Sequence, residues 1–511
     1  MEQNTNREVQ APAATGAPKK SGDKRRRIPE ILRYSEIRDG RFIRYFGKRT
    51  EICVPDFVRA IDANAFRGNK KITDVHLGAN VSVIGAGAFD GCTSLRRVTF
   101  PDTLRSIGAH AFRGCSSLTS LLLPAGLRVI DEGCFRGCSS LSQVNIPDSV
   151  KVIERAVFRD CESLESVSLP KGIDRLSRET FYNCRSLCAV EVPAGVESIG
   201  KYVFGKCARL EKLALPATLS HLGVGAFCEC TSLRRLRLPP EIRFIADYTF
   251  ASCEGLEELC LPPELSYIGN AAFFGCKHLR EVTLPEGLEH VGNSAFYGCA
   301  SLVRVRIPES VQDVSNAAFA FCTSLTDLQI GARLEEIEEG VFEGCIALDK
   351  LSLPDTVRKI EAHAFADCIA LSSIKLPEGV HTVEDRAFAG CISLTGLTLP
   401  ESVRRVHTEA FCDCPSLCTA VIEAPRVKLE KGVFSKCPAL HALIVPEKKR
   451  FTLVYLAKLG LLQHVTVISR RESDRALLYA ELCEPSTEAA RKEEIRQLLA
   501  EPIEEEKARR K

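Results

Sequence analysis

Tryptophan is absent from this 511-residue chain and methionine occurs once. Neither charge is in excess, with 68 Lys plus Arg against 66 Asp plus Glu. That balance excludes a general pull toward nucleic acid or an anionic membrane. No run of 18 consecutive apolar residues occurs, which excludes a membrane-spanning helix. The opening segment, MEQNTNREVQAPAATGAPKK, lacks the apolar stretch of a secretory signal, Gly does not follow Met1, and no lipidation signal ends the chain. The expected location is therefore the cytosol, where thiols stay reduced; the cell surface, reached by a non-classical route, is the alternative. Apolar content of 45% and charged content of 26% exclude wholesale disorder. At ~150 residues per domain, length alone suggests three or four domains.

What the chain does hold, in place of the missing residues, is 24 Cys and 25 Phe. Seventeen of the Phe fall on one lattice, from Phe66 and Phe89 through Phe227 and Phe250 to Phe434, every interval being 23 residues. Cys follows three residues after each, from Cys92 to Cys437, with Asn69 in the first copy. Six after each Phe is Leu, or Ile72 in the first copy, and twelve after it is Pro except at Gly78, Gly331 and Glu423. Separate domains do not keep such register; one solenoid does.

One copy shows why. In the segment from Leu95 to Pro101, Val98 and Phe100 point inward while Arg97 and Thr99 point outward, the alternation of a strand. Pro101 removes a ladder donor and ends it. Leu104 and Ile107 turn a second apolar edge inward on the far side of the coil. The segment Ala109 to Gly114 is expected to form a short helical turn, with Gly114 as a left-handed cap. That last position is Gly in eight copies and Asp or Asn in four, so left-handed geometry there is not compulsory. A single coil cannot bury eight apolar positions, but stacked coils can.

The recurring pattern L-x-x-L-x-L-P-x-x-L-x-x-I-x-x-x-A-F-x-G-C resembles the BspA-type leucine-rich repeat, over roughly residues 50 to 446. The resemblance implies an α/β repeat solenoid: a right-handed leucine-rich repeat stack with a long parallel sheet, short helical turns and small terminal caps. At ~4.8 Å per strand, 17 coils make a sheet on the order of 80 Å long. It also implies an interaction module, with surface adhesins among the relatives.

Around the solenoid (62–446), residues 1–33 read as a polar tail whose basic run, Lys19 to Arg27, is either a nuclear address or a solvated segment. Residues 34–61 read as an N-terminal cap and first coil. Residues 447–483 read as a C-terminal cap, with a helix near Leu453, Leu456 and Ala457 interrupted at Gly460, a last strand at Val465, Val467 and Ile468, and a helix from Ala476 to Leu482. Residues 484–511 form a charged tail with a helix over Glu488 to Ala500.

Little in this pattern looks catalytic. The Cys column is expected to be a buried ladder of small hydrophobes, reduced and bound to no metal. Cys228 with Cys230, and Cys412, Cys414 and Cys418, lack the paired spacing of a zinc ribbon. No triad and no phosphate-binding loop follows from the lattice, and 65 residues beyond Pro446 are too few for most catalytic domains. No cofactor is expected. The outward strand positions remain. Their most charged stretch runs through Arg235, Arg237, Glu258, Glu281, Arg304, Arg306 and Asp327. Self-pairing between adjacent strands and recognition of a protein or peptide partner are the two readings of these seven residues. No aromatic residue lies among these outward positions, which argues against base or sugar stacking. The expectation is a monomeric, non-enzymatic scaffold.

Overall fold

The computed structural model describes residues 30–331, 333–446, 451–461 and 465–469, with Leu482, Lys492, Ile495 and Arg496 beyond them. Of the predicted tail, 1–33, the residues ahead of Glu30 lie outside these, and Glu30–Arg33 form a short α-helix. Most of the chain after Ser469, with most of the helices expected at Ala476 to Leu482 and Glu488 to Ala500, also lies outside them. The four isolated residues are helical.

The period-two segments become strands of three or four residues, such as Arg97–Thr99, Arg235–Arg237 and Ala442–Val445. Most pair in parallel with the strand 23 residues on, in register: Gln143 with Ser166, Arg235 with Glu258, Arg304 with Asp327. The pairing lapses after Arg97–Thr99, Lys212–Ala214 and Asp327–Ile330. We call this the front ladder. The second apolar edge becomes a ladder too. Two-residue strands such as Val83–Ile84, Ser106–Ile107 and Lys359–Ile360 pair in parallel across the back of the coils. The result is a parallel-strand β-solenoid of about 18 turns.

Between the ladders lies one continuous core. The lattice Phe are buried and stack ring on ring, with centroids 4.8 Å apart at Phe66–Phe89 and 5.6 Å at Phe158–Phe181. Phe42 of the N-terminal cap begins the column, stacked on Phe66.

The α/β description needs correction, because the expected helical turns do not form. The residues two before and two after each lattice Phe have positive φ, as at His110 (57°) and Gly114 (69°), or Ala156 (56°) and Asp160 (62°). Left- and right-handed conformations alternate, so no helix propagates. The backbone N–H groups an α-helix would return four residues instead cross to the next coil. Asn64, Phe66 and Gly68 donate to the carbonyls of Ala86, Ala88 and Asp90 at 2.7 to 2.9 Å, and the pattern repeats along the stack. Non-glycine residues tolerate the left-handed geometry because each gains an inter-coil hydrogen bond that a helical turn would forgo.

Both ends are covered. Ser35–Arg38 and Arg41–Tyr45 form an antiparallel hairpin through Asp39 and Gly40, and Arg41–Tyr45 then pairs with Ala60–Ile61 at the start of the back ladder. At the other end Thr452 caps the helix Leu453–Lys458, its hydroxyl accepting from the N–H of Tyr455. Leu459 closes that helix, and Gly460 follows it with φ 88°. Thr466–Ser469 adds a final parallel strand to Ala442–Val445.

Candidate functional site

The thiol column does more than fill space. Each Sγ donates to the carbonyl of the lattice Phe one coil back: Cys92 to Phe66 at 3.2 Å, Cys253 to Phe227 at 3.1 Å, Cys391 to Phe365 at 3.4 Å. Burial pushes the Cys92, Cys253 and Cys391 thiols up to about 12, so they remain protonated and unreactive. The described cysteines of this column form no disulfide. Cys230 and Cys414 belong to this column, each donating to a Phe carbonyl, and no cysteine joins a metal-ligand cluster among the described residues.

The front ladder carries the charged residues singled out above. Its outward side chains alternate with a buried partner, as in the exposed–buried–exposed pattern of Arg235, Leu236 and Arg237. Parallel register brings Arg235 against Glu258 (3.7 Å) and Arg304 against Asp327 (2.8 Å). Arg306 pairs with Glu286 instead (3.4 Å), a residue in the turn one coil earlier that strand positions alone do not reveal. Glu281 bridges through its backbone to Glu258 and Arg304. Neither Arg237 nor Glu281 makes an ion pair among the described residues. Pairing between adjacent strands therefore engages four of the seven, and Arg306 is held by a turn residue, through pairs too exposed to hold the fold: the Arg235 and Glu258 side chains are 77% and 66% accessible.

Aromatic residues are missing from this stretch of the front ladder but not from the surface. Phe244, Tyr267 and His290 stack along the back ladder, with Tyr267 and His290 4.6 Å apart. Phe274 and Phe321, exposed, flank the half-buried Tyr297 in a second run beside the left-handed turns. The 23-residue spacing of Phe244, Tyr267 and His290 is the signal that could have found the first run.

Two hydrogen-bonded ladders enclosing a Phe and thiol column, one copy per 23 residues, define a leucine-rich repeat scaffold. The model of the BspA-type leucine-rich repeat region matches residues 35–165, 151–259, 243–372 and 335–455, and the chain belongs to that family. Among solved structures, a leucine-rich repeat protein from Bacteroides ovatus is 27% identical, over 76% of this chain and 94% of that one, with a TM-score of 0.53. A T. pallidum leucine-rich repeat protein is 36% identical over 38% of this chain and 82% of its own, with a TM-score of 0.32. A leucine-rich cell surface protein from Faecalibacterium prausnitzii is 25% identical over 76% and 91%, with a TM-score of 0.35. No curated protein matches the sequence. No described helix is long and apolar enough to cross a membrane.

Proposed function

We propose that the protein is a non-enzymatic scaffold that binds a protein or peptide partner along its front ladder, centred on the strands from Arg235 to Asp327. The supporting observation is the charge arrangement there. Arg237 and Glu281 project from a rigid sheet without an ion-pair partner among the described residues, beside pairs whose exposed members can exchange partners at little cost. A complementary chain of mixed charge would satisfy both while keeping the register. The exposed thiols of Cys53, Cys188 and Cys260 suit a reducing compartment, which supports the cytosol as its location.

The test is affinity capture with the wild type against Arg235→Glu, Arg304→Glu and Arg306→Glu combined. A specific partner should bind at least about tenfold more weakly to the triple variant, since each reversal turns an attraction into a repulsion. Unchanged capture would move recognition to the edges or the termini. Family membership raises a second reading, a cell-surface adhesin. Digestion of the protein by protease added to intact cells would favour the adhesin over the cytosolic scaffold.

A further inference from the structure

A constellation on the back of the last coils is unrelated to the front ladder. The position nineteen residues after each lattice Phe stacks Glu338, Glu361, Glu384, His407 and Glu430 on successive turns. Each of the last four directly follows a back-ladder strand held in register with its neighbours: Lys359–Ile360, Thr382–Val383, Arg405–Val406 and Lys428–Leu429.

His407 therefore sits between two carboxylates. Its Nε2 lies 3.4 Å from Oε2 of Glu384, and its Nδ1 lies 3.6 Å from Oε2 of Glu430. All three side chains are largely shielded, between 20% and 24% accessible. The other oxygen of each glutamate is engaged elsewhere: Oε1 of Glu384 faces Lys359 at 3.5 Å, and Oε1 of Glu430 faces Lys428 at 3.3 Å. Asp385 completes the group from the next position along. Its Oδ1 accepts the backbone N–H of Thr408 at 2.9 Å, which orients the carboxylate. The ligand atoms of Asp385, His407 and Glu430 all lie within 4.8 Å of one another.

A neutral imidazole has one N–H and one lone pair, so it can donate to one flanking carboxylate only. Its lone-pair nitrogen then faces the second carboxylate across a gap that needs positive charge. A metal-bound histidine commonly has the same surroundings: one nitrogen on the ion, the other N–H given to a carboxylate. We propose that Asp385, Nδ1 of His407 and Glu430 bind a divalent first-row cation of the zinc type, with Glu384 holding the Nε2 proton. Ligand atoms ~2.1 Å from a tetrahedral ion stand ~3.4 Å apart, so the imidazole and Glu430, 3.6 Å apart, are already at bonding separation, and Asp385 lies within 4.8 Å of both. One imidazole with two carboxylates selects zinc or cobalt over magnesium and calcium, which prefer oxygen alone. Three protein ligands leave a fourth position for water or a donor from a partner. The site holds the last coils together from outside the core, since its ligands come from three successive turns.

Cobalt(II) titrated into the full chain, followed by visible absorption, tests this and separates the site from the many thiols. The expected result is one equivalent bound with weak ligand-field bands and no thiolate charge transfer, displaced by zinc. His407→Ala and Asp385→Asn should each weaken binding at least about tenfold, and Glu384→Gln by about 10- to 100-fold. His76→Ala, on the front ladder, should bind as the wild type does. Coincident titrations of wild type and His407→Ala, or bound cobalt carrying a thiolate band, would overturn the assignment. Circular dichroism of the metal-free variants checks folding, and the exposed Asp385→Asn gives the answer should His407→Ala melt early.

Discussion

The front and back ladders are built from the same coils at the same spacing, yet Asp74 on the front and Glu338 on the back sit among charges of opposite kind. On the front, rungs of opposite sign adjoin at Arg97 against Asp74, Arg235 against Glu258 and Arg304 against Asp327, with Glu258 beside Glu281 as a like-sign exception. On the back of the later coils, rungs of like sign adjoin in the Glu338, Glu361 and Glu384 stack. A hydrogen bond from Thr73, with the Arg97 guanidinium, holds the Asp74 carboxyl below its ordinary range despite some burial. Burial raises the Glu338 carboxyl, and Glu336, Asp313 and Glu361 raise it further. In a parallel in-register stack, every charged residue is set against the residues 23 before and 23 after it. Opposites cancel and likes accumulate, which is why cations converge on the back: Lys359, Lys428 and, by our inference, a metal ion.

The largest test of this contrast asks whether the two ladders are one body. Phe227 is fully buried, with rings of Phe204 and Phe250 at 5.4 Å on either side. Phe227→Ala should cost about 3–5 kcal/mol. Hydrogen exchange should show Arg235–Arg237 on the front and Phe244–Ile245 on the back losing protection together. If only one strand loosens, charges on the two faces do not share a scaffold and the comparison breaks. Cys253→Ala, which strips the Phe227 carbonyl of its thiol donor, should cost about 1–2 kcal/mol in denaturant melts.

Two single carboxylates sharpen the contrast through its sign with pH. Asp74, depressed in the fold, contributes stability above the carboxylate range that is lost as pH falls through it. Asp74→Asn should therefore lower the melting temperature at neutral pH and match the wild type in strong acid. Glu338 is raised in the fold, so its ionisation opposes folding as pH rises. Glu338→Gln should raise the melting temperature at neutral pH, the gain vanishing as pH falls through the carboxylate range. Shifts of the same sign for both variants would refute the distinction between the ladders. Smallest of all, Arg235→Glu should change stability by no more than about 0.5 kcal/mol, because its pair is solvent-exposed.

The solenoid was legible because its core positions are chemically narrow: a column that must be Phe or Cys announces itself at every turn. The front strands followed from the alternation around Val98 and Phe100; Leu104 and Ile107 gave the second apolar edge, but two residues per coil are too few to show the strand pairing of the back ladder. The helical turn was misjudged because helix and left-handed turn share a small-residue and glycine signature, and only the destination of the N–H groups separates them. The left-handed residue two before each Phe was missed altogether, being Asn64, His110, Ala156, Tyr202 or Arg386, types with no common preference for that geometry. Arg235 with Glu258 and Arg304 with Asp327 could be paired from spacing alone. The Arg306–Glu286 pair could not, since it joins a strand to a turn. Asp385, His407 and Glu430 stayed hidden because Asp385 sits one position off the column that holds the other two.

The row of inter-coil hydrogen bonds beside each Phe gives the molecule a direction. Along that ridge the N–H groups of each coil point to the following coil, and the receiving carbonyls point back. An uncovered first coil would show only acceptors on this edge, and an uncovered last coil only donors. The chain meets each edge with its opposite. Tyr45 of the opening hairpin donates to the Ala65 carbonyl, and the carbonyls of Lys458 and Leu459, at the close of the C-terminal helix, accept from Gly432 and Phe434. The two caps are consequently not interchangeable, and neither could serve at the other end. A second copy of the stack could prolong this edge only head to tail, never with like ends facing.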